Sequence, residues 1–73
     1  MEALNKAELQ AEIIRKGHTA KDVYTYLGIS SSAWYRKINS INEFTLGEIH
    51  SMIDYMDISN DRRDLIFFNK KVS

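Results

Sequence analysis

The sequence predicts an all-α domain of five short helices, and three observations carry that expectation. The chain contains no proline, and its apolar residues recur mostly three and four apart, the period of an amphipathic helix. Helix starts are marked chemically: Asn5 with Glu8, Thr19 with Asp22, and Thr45 with Glu48 all have capping-box spacing. In that arrangement each of two side chains accepts a hydrogen bond from the other residue's backbone N–H. Gly17 and Gly28 stand where helices end in a left-handed residue, which glycine adopts without a steric cost.

Taken in order, helix one is expected at 6–16, starting at the Asn5 cap with Leu4 and Leu9 spaced as a hydrophobic staple. Helix two, at 20–27, starts at Thr19, where the aspartate at 22 reaches back less well than a glutamate. Helix three, at 31–39, takes Ser30 as its cap and Ile29 with Trp34 as its staple. Helix four, at 46–56, starts at the Thr45–Glu48 box with Phe44 and Ile49 across it, and a short fifth helix at 61–68 follows Ser59 and Asn60. Only Gly28 and Ile29 lie between the end of helix two and the cap of helix three. A link that short forces the sharp crossing of a helix-turn-helix. No repeat, low-complexity tract or linker interrupts the chain, so 1–73 reads as one domain with the helix-turn-helix at about 20–39.

Composition narrows the function classes. The chain has 73 residues and no cysteine, which excludes a disulfide or a thiolate metal site. A core of this size supplies only about 3–5 kcal/mol, which favours support from a partner or a second copy. Hydrophobic residues are 44% and charged residues 27%, the balance of a soluble globular chain. With no signal peptide and no apolar run near ~18 residues, a cytoplasmic protein without membrane contact is expected. Two histidines, His18 and His50, lack the acidic spacing of a zinc-binding helix, and there is no glycine-rich phosphate loop. No enzyme activity, metal or cofactor is therefore expected.

Net charge is zero, but the charges are segregated. From Arg15 to Ser40 there are five cations (Arg15, Lys16, Lys21, Arg36, Lys37) against one acid, Asp22. From Ile41 to Asp61 there are five acids (Glu43, Glu48, Asp54, Asp57, Asp61) and no cation. A bipolar field can orient a small protein on a polyanion even when the total cancels; solvated helix faces that merely segregate are the plainer alternative.

Helix three has two chemically distinct sides. Trp34 and Ile38, four residues apart, mark the core side. The other carries Ser32 and Arg36, flanked by Ser31, Ala33, Tyr35 and Lys37. An arginine there can donate two hydrogen bonds to a guanine edge in the major groove, small Ser31, Ser32 and Ala33 permit close approach, and Ala33 suits a thymine methyl. The Ser30-capped N-terminus offers backbone N–H groups to a phosphate, and Lys21 and Lys37 suit phosphate contacts, a set that Thr19 and Asn39 complete. Three roles remain open for Tyr35: stacking or other base contact, a hydroxyl bond to phosphate, or cover for apolar surface. Solvated cations remain the plainer reading of Arg36 and Lys37.

The segment TAKDVYTYLGISSSAWYRKINS, Thr19 to Ser40, resembles the phage Cro/repressor-type helix-turn-helix proteins, the lambda-repressor-like or XRE group. Their pattern runs roughly T-Q-x-x-L-A-x-x-L-G-I-S-x-S-T-L-S-R-K-I-N-G. EFTLGEIHSMIDYMDIS looks like the helix that follows in that family, and IFFNKKVS is similar to endings of small regulators of temperate phages of Gram-positive bacteria. The resemblance implies a five-helix lambda-repressor-like domain that binds an operator in double-stranded DNA and regulates transcription as a repressor-type protein. It places Ser31, Ser32 and Arg36 at base-reading positions and Ser30 at the cap that holds a phosphate.

Three positions depart from the pattern. Ala20 replaces a glutamine and so removes one contact. Tyr24 replaces a small residue where the helices cross, so that either the crossing is splayed or Tyr24 and Trp34 have adjusted to each other. Ser40 replaces the glycine that ends helix three, at about 1 kcal/mol if the left-handed conformation persists. Such regulators usually pair two copies on half-sites about 34–36 Å apart. The apolar ending with Leu65, Ile66, Phe67, Phe68 and Val72 suits a homodimer contact, although Leu65 and Phe68 equally suit the core. The competing function is a helix-turn-helix used as a protein-binding module, an antirepressor, inhibitor or adaptor, which zero net charge, Tyr24, Tyr26, Tyr35 and the acidic segment all suit.

Overall fold

A computed structural model describes residues 4–68 as helices alone: α1 Lys6–Arg15, α2 Ala20–Leu27, α3 Ser31–Ile38, α4 Leu46–Met56 and α5 Asn60–Arg63, the last running into a π turn, Asp64–Phe68. Each start has its cap. Thr19 with Asp22 and Thr45 with Glu48 form complete capping boxes, and Ser30 and Ser59 accept from the N–H groups of Ala33 and Arg62. The box at Asn5 is only half made. Asn5 Oδ1 accepts from the Glu8 N–H, but the Glu8 carboxylate turns to the Arg62 guanidinium at 2.7 Å instead of reaching back. A charged partner outcompetes a backbone N–H for it.

Four helices end the same way. After α1, α2, α3 and α4 the chain turns through a left-handed residue, at Gly17, Gly28, Ser40 and Asp57 with φ of 80°, 76°, 62° and 52°. Each turn is closed by a long backbone bond across the helix end: His18 to Ile13, Ile29 to Tyr24, Ile41 to Arg36 and Ile58 to Ile53, at 2.8–3.1 Å. This is the Schellman arrangement, which satisfies carbonyls that the helix itself leaves open. After α4 the Lys16 ammonium adds a cap from outside, donating to the Met56 and Asp57 carbonyls at 2.7 and 2.8 Å.

The core gathers one stripe from every helix: Leu9 and Ile13, Val23, Trp34 and Ile38, Ile49, Met52 and Met56, then Ile58, Ile66 and Phe67. Trp34, Phe44 and Phe67 form an edge-on series with centroids 5.6 and 6.4 Å apart, geometry favoured by the ring quadrupoles. The expected fifth helix is an α turn that widens into the π turn, so that consecutive Ile66 and Phe67 both reach the core. Asn5 N–H donates to the Ile66 carbonyl at 2.8 Å and pins that turn to the start of α1. Of the apolar residues expected at a homodimer contact, Phe67 is 7% exposed and belongs to the core of its own subunit. Phe68 is half-buried against the same core, and Val72 lies outside the described residues.

One polar group is buried with the apolar ones. The Glu12 side chain is 1% exposed, and its carboxylate is held by Arg15, by Arg62 Nε at 3.0 Å and by Lys16 at 3.5 Å. Burial pushes this carboxyl up, but the hydrogen bonds and charges of Arg62 and Arg15 outweigh it, leaving it below the ordinary glutamate range. The network clamps α5 onto α1. No helix among the described residues is long and apolar enough to cross a membrane.

Candidate nucleic-acid interface

The segment from Thr19 to Asn39 is built by local chemistry at each joint. Thr19 N–H donates to Asp22 Oδ2 at 2.9 Å while the Asp22 N–H donates to Thr19 Oγ1 at 3.1 Å, fixing the start of α2. The short aspartate closes the box as well as a glutamate does. That backbone bond is the main reason the Asp22 carboxyl lies below its usual range. A Cβ at Gly28 would meet nothing within 4 Å, so glycine is there for its left-handed φ and not for space. Ser30 Oγ then accepts from the Ala33 N–H at 3.1 Å, starting α3 with three residues between it and the end of α2.

Packing rotates α3 as its apolar spacing predicts. Trp34 is 5% and Ile38 9% exposed, both facing the core. Tyr24 lies against Trp34 with centroids 6.3 Å apart and planes tilted by 45°. The two rings are in contact where the helices cross. The outer side presents Ser31, Ser32, Tyr35 and Arg36 to solvent, with Ala33 half-buried at its margin. Among the described residues Arg36 has no ion pair or side-chain hydrogen bond, and Tyr35 is 62% exposed. Thr19, Lys21 and Ser30 are exposed along the leading edge.

Two expected phosphate ligands are otherwise engaged. Lys37 donates to Glu48 Oε1 at 3.0 Å and to the Glu43 carbonyl at 3.2 Å, and lies 5.8 Å from the centre of the Phe44 ring. Its side chain is 14% exposed and ties α3 to α4, so a phosphate would have to compete with Glu48 for it. Burial raises the Glu48 carboxyl, but the Thr45 N–H and Lys37 overcome that and hold it low. Asn39, half-buried, donates from Nδ2 to the Tyr35 carbonyl at 2.9 Å and accepts on Oδ1 from Lys6 Nζ at 2.8 Å. Its amide therefore supports the end of α3 rather than standing free for a phosphate.

The segregated charge is correspondingly thinner in three dimensions than along the chain. Arg15 and Lys16 bind Glu12, and Lys37 binds Glu48, which leaves Lys21 and Arg36 of the five cations between Arg15 and Ser40 without a carboxylate partner among the described residues. Lys6 is the residue that sequence reasoning missed. It joins the end of α3 from 33 residues away, and no spacing along the chain signals that contact. No group of three or more potential metal ligands occurs among the described residues. Neither a family model, nor a curated protein, nor a solved structure matches the chain.

Proposed function

We propose that this protein is a sequence-specific, double-stranded-DNA-binding transcription regulator of phage or prophage type, with α3 as the helix that enters the major groove. One observation carries the reading: α3 buries Trp34 and Ile38 on one side and holds Arg36 on the other, exposed and without a partner among the described residues. An unpaired guanidinium need not break an existing bond to engage a base, and its planar fork matches the N7 and O6 of guanine. Ser31 and Ser32 keep the surface ahead of it low, while Thr19, Lys21 and Ser30 supply hydroxyls and charge for the flanking backbone.

A specific observation favours the second reading, a protein-binding module. Tyr55 is stacked between His18 and Tyr26, with centroids 4.6 and 4.2 Å apart, and Tyr26 is 53% exposed. Exposed rings of that kind anchor protein interfaces. Selection from a random duplex library, followed by titration of the recovered site between about 50 and 200 mM salt, separates the two. The DNA reading expects an enriched site whose log K falls linearly with log salt, by about 0.9 per phosphate neutralised. No duplex binding at about 50 mM salt would overturn it in favour of the protein partner.

A further inference from the structure

We propose that Lys6, in the first turn of α1, is a DNA-phosphate ligand on the trailing flank of α3, held in position by Asn39; this rests on the DNA reading above. The described residues include eight lysines and arginines: Lys6, Arg15, Lys16, Lys21, Arg36, Lys37, Arg62 and Arg63. Five of them lie within ion-pair distance of a carboxylate: Arg15 and Lys16 on Glu12, Lys37 on Glu48, Arg62 on Glu8 and Glu12, and Arg63 on Asp64. The other three have no carboxylate within that distance among the described residues, and they lie in or beside the helix-turn-helix. Lys21 is in the first turn of α2, Arg36 is on the outer side of α3, and Lys6 meets the residue that caps the end of α3.

The Lys6 contact is of a kind that leaves charge available. Its ammonium donates one bond, to the neutral Asn39 amide at 2.8 Å, and an ammonium has three donors. Among the described residues its other two N–H groups meet no acceptor and its charge no carboxylate, which leaves both for an anion. Asn39 is in turn fixed by its own bond to the Tyr35 carbonyl one turn back, so the amide is a rigid bracket. Tyr35 and Asn39, four apart on α3, share one flank, and Lys6 is delivered to it from α1. A groove-bound helix is bordered by two phosphate strands. Thr19, Lys21 and Ser30, exposed at the starts of α2 and α3, serve one of them; Lys37, the other lysine expected at a phosphate, is engaged by Glu48, and we assign the second strand to Lys6.

The test is a salt titration of the parent, Lys6→Gln, Lys6→Arg and Lys37→Gln on the selected duplex, with circular dichroism to verify that each variant is helical. Removing one phosphate contact makes the slope of log K against log salt shallower by about 0.9, so the affinity lost between about 50 and 200 mM salt shrinks about 3.5-fold. Lys6→Gln should show that change, and Lys6→Arg and Lys37→Gln should keep the parental slope. For Asn39 as positioning residue, Lys6→Gln should weaken binding less in an Asn39→Ala background than in the parent. A parental slope in Lys6→Gln, with the parent binding duplex, overturns the Lys6 assignment and leaves the DNA reading intact. Equal effects of Lys6→Gln in both backgrounds overturn the role of Asn39. A parent that binds no duplex at about 50 mM salt overturns the DNA reading and this inference together.

Discussion

Replacing Ser40 by glycine should stabilise the protein, and the magnitude follows from the turn that ends α3. Ser40 sits at φ 62°, left-handed, in the position that Gly17 and Gly28 occupy in the sister turns after α1 and α2. Its N–H donates to the Lys37 carbonyl at 3.2 Å and the next N–H, of Ile41, to the Arg36 carbonyl at 2.8 Å, so the conformation is held by the helix end and cannot relax. An L-residue there carries about 1–2 kcal/mol of strain between Cβ and the following carbonyl, which glycine removes. Glycine also loosens the unfolded chain, which costs about 0.4–1 kcal/mol. Ser40 is exposed and its hydroxyl makes no hydrogen bond among the described residues, so no contact is forfeited. The net gain is about 0.5–1 kcal/mol, or roughly 2–8 °C in Tm for a domain of this size. Thermal unfolding followed by circular dichroism measures it, with Ser40→Ala as the control that keeps the Cβ and should not gain. If Ser40→Gly melts at or below the parent, or Ser40→Ala gains equally, the turn is not strained as argued.

Arg36→Ala should leave Tm within the range of a neutral surface change, about 0.5 kcal/mol, yet weaken operator binding by about 1–3 kcal/mol and relax preference at one base pair. A variant that binds every site as the parent does would remove Arg36 from the reading role. Arg62→Met should cost about 1.5–3 kcal/mol in urea unfolding, because the guanidinium donates to Glu8 at 2.7 Å and Glu12 at 3.0 Å and clamps α5 to α1; an unchanged urea midpoint would show that the clamp contributes nothing. Glu12 and Glu48 both titrate lower folded than unfolded, so their stabilisation is complete above the ordinary glutamate range and is lost as pH falls through the depressed folded values. Urea unfolding across pH should therefore show a decline below roughly pH 4 that flattens in Glu12→Gln, and equal acid slopes in the two proteins would refute the assignment.

What the sequence by itself determined were the helix starts, the left-handed stops at Gly17 and Gly28 (the left-handed Asp57 after α4 carried no such signal), and the side of α3 that is buried. These are short-range matters. A cap is made between residues three apart, a left-handed stop belongs to one residue, and Trp34 with Ile38 mark a face because they are one turn apart. Where local reasoning failed, a distant group intervened. Glu8 leaves its capping box for an arginine 54 residues away, and the last helix opens into a π turn pinned to Asn5 that carries Phe67 into the core.

The availability of charge was decided largely by tertiary structure. Lys16 is consumed by carbonyls 40 and 41 residues away and Lys37 by Glu48, while Lys6 is brought to Asn39 across 33 residues. A cation's type is written in the chain, but whether it can meet a phosphate depends on which carboxylates and carbonyls folding places beside it. Coulomb and hydrogen-bond energies act through space over a few ångströms, without regard to separation along the sequence.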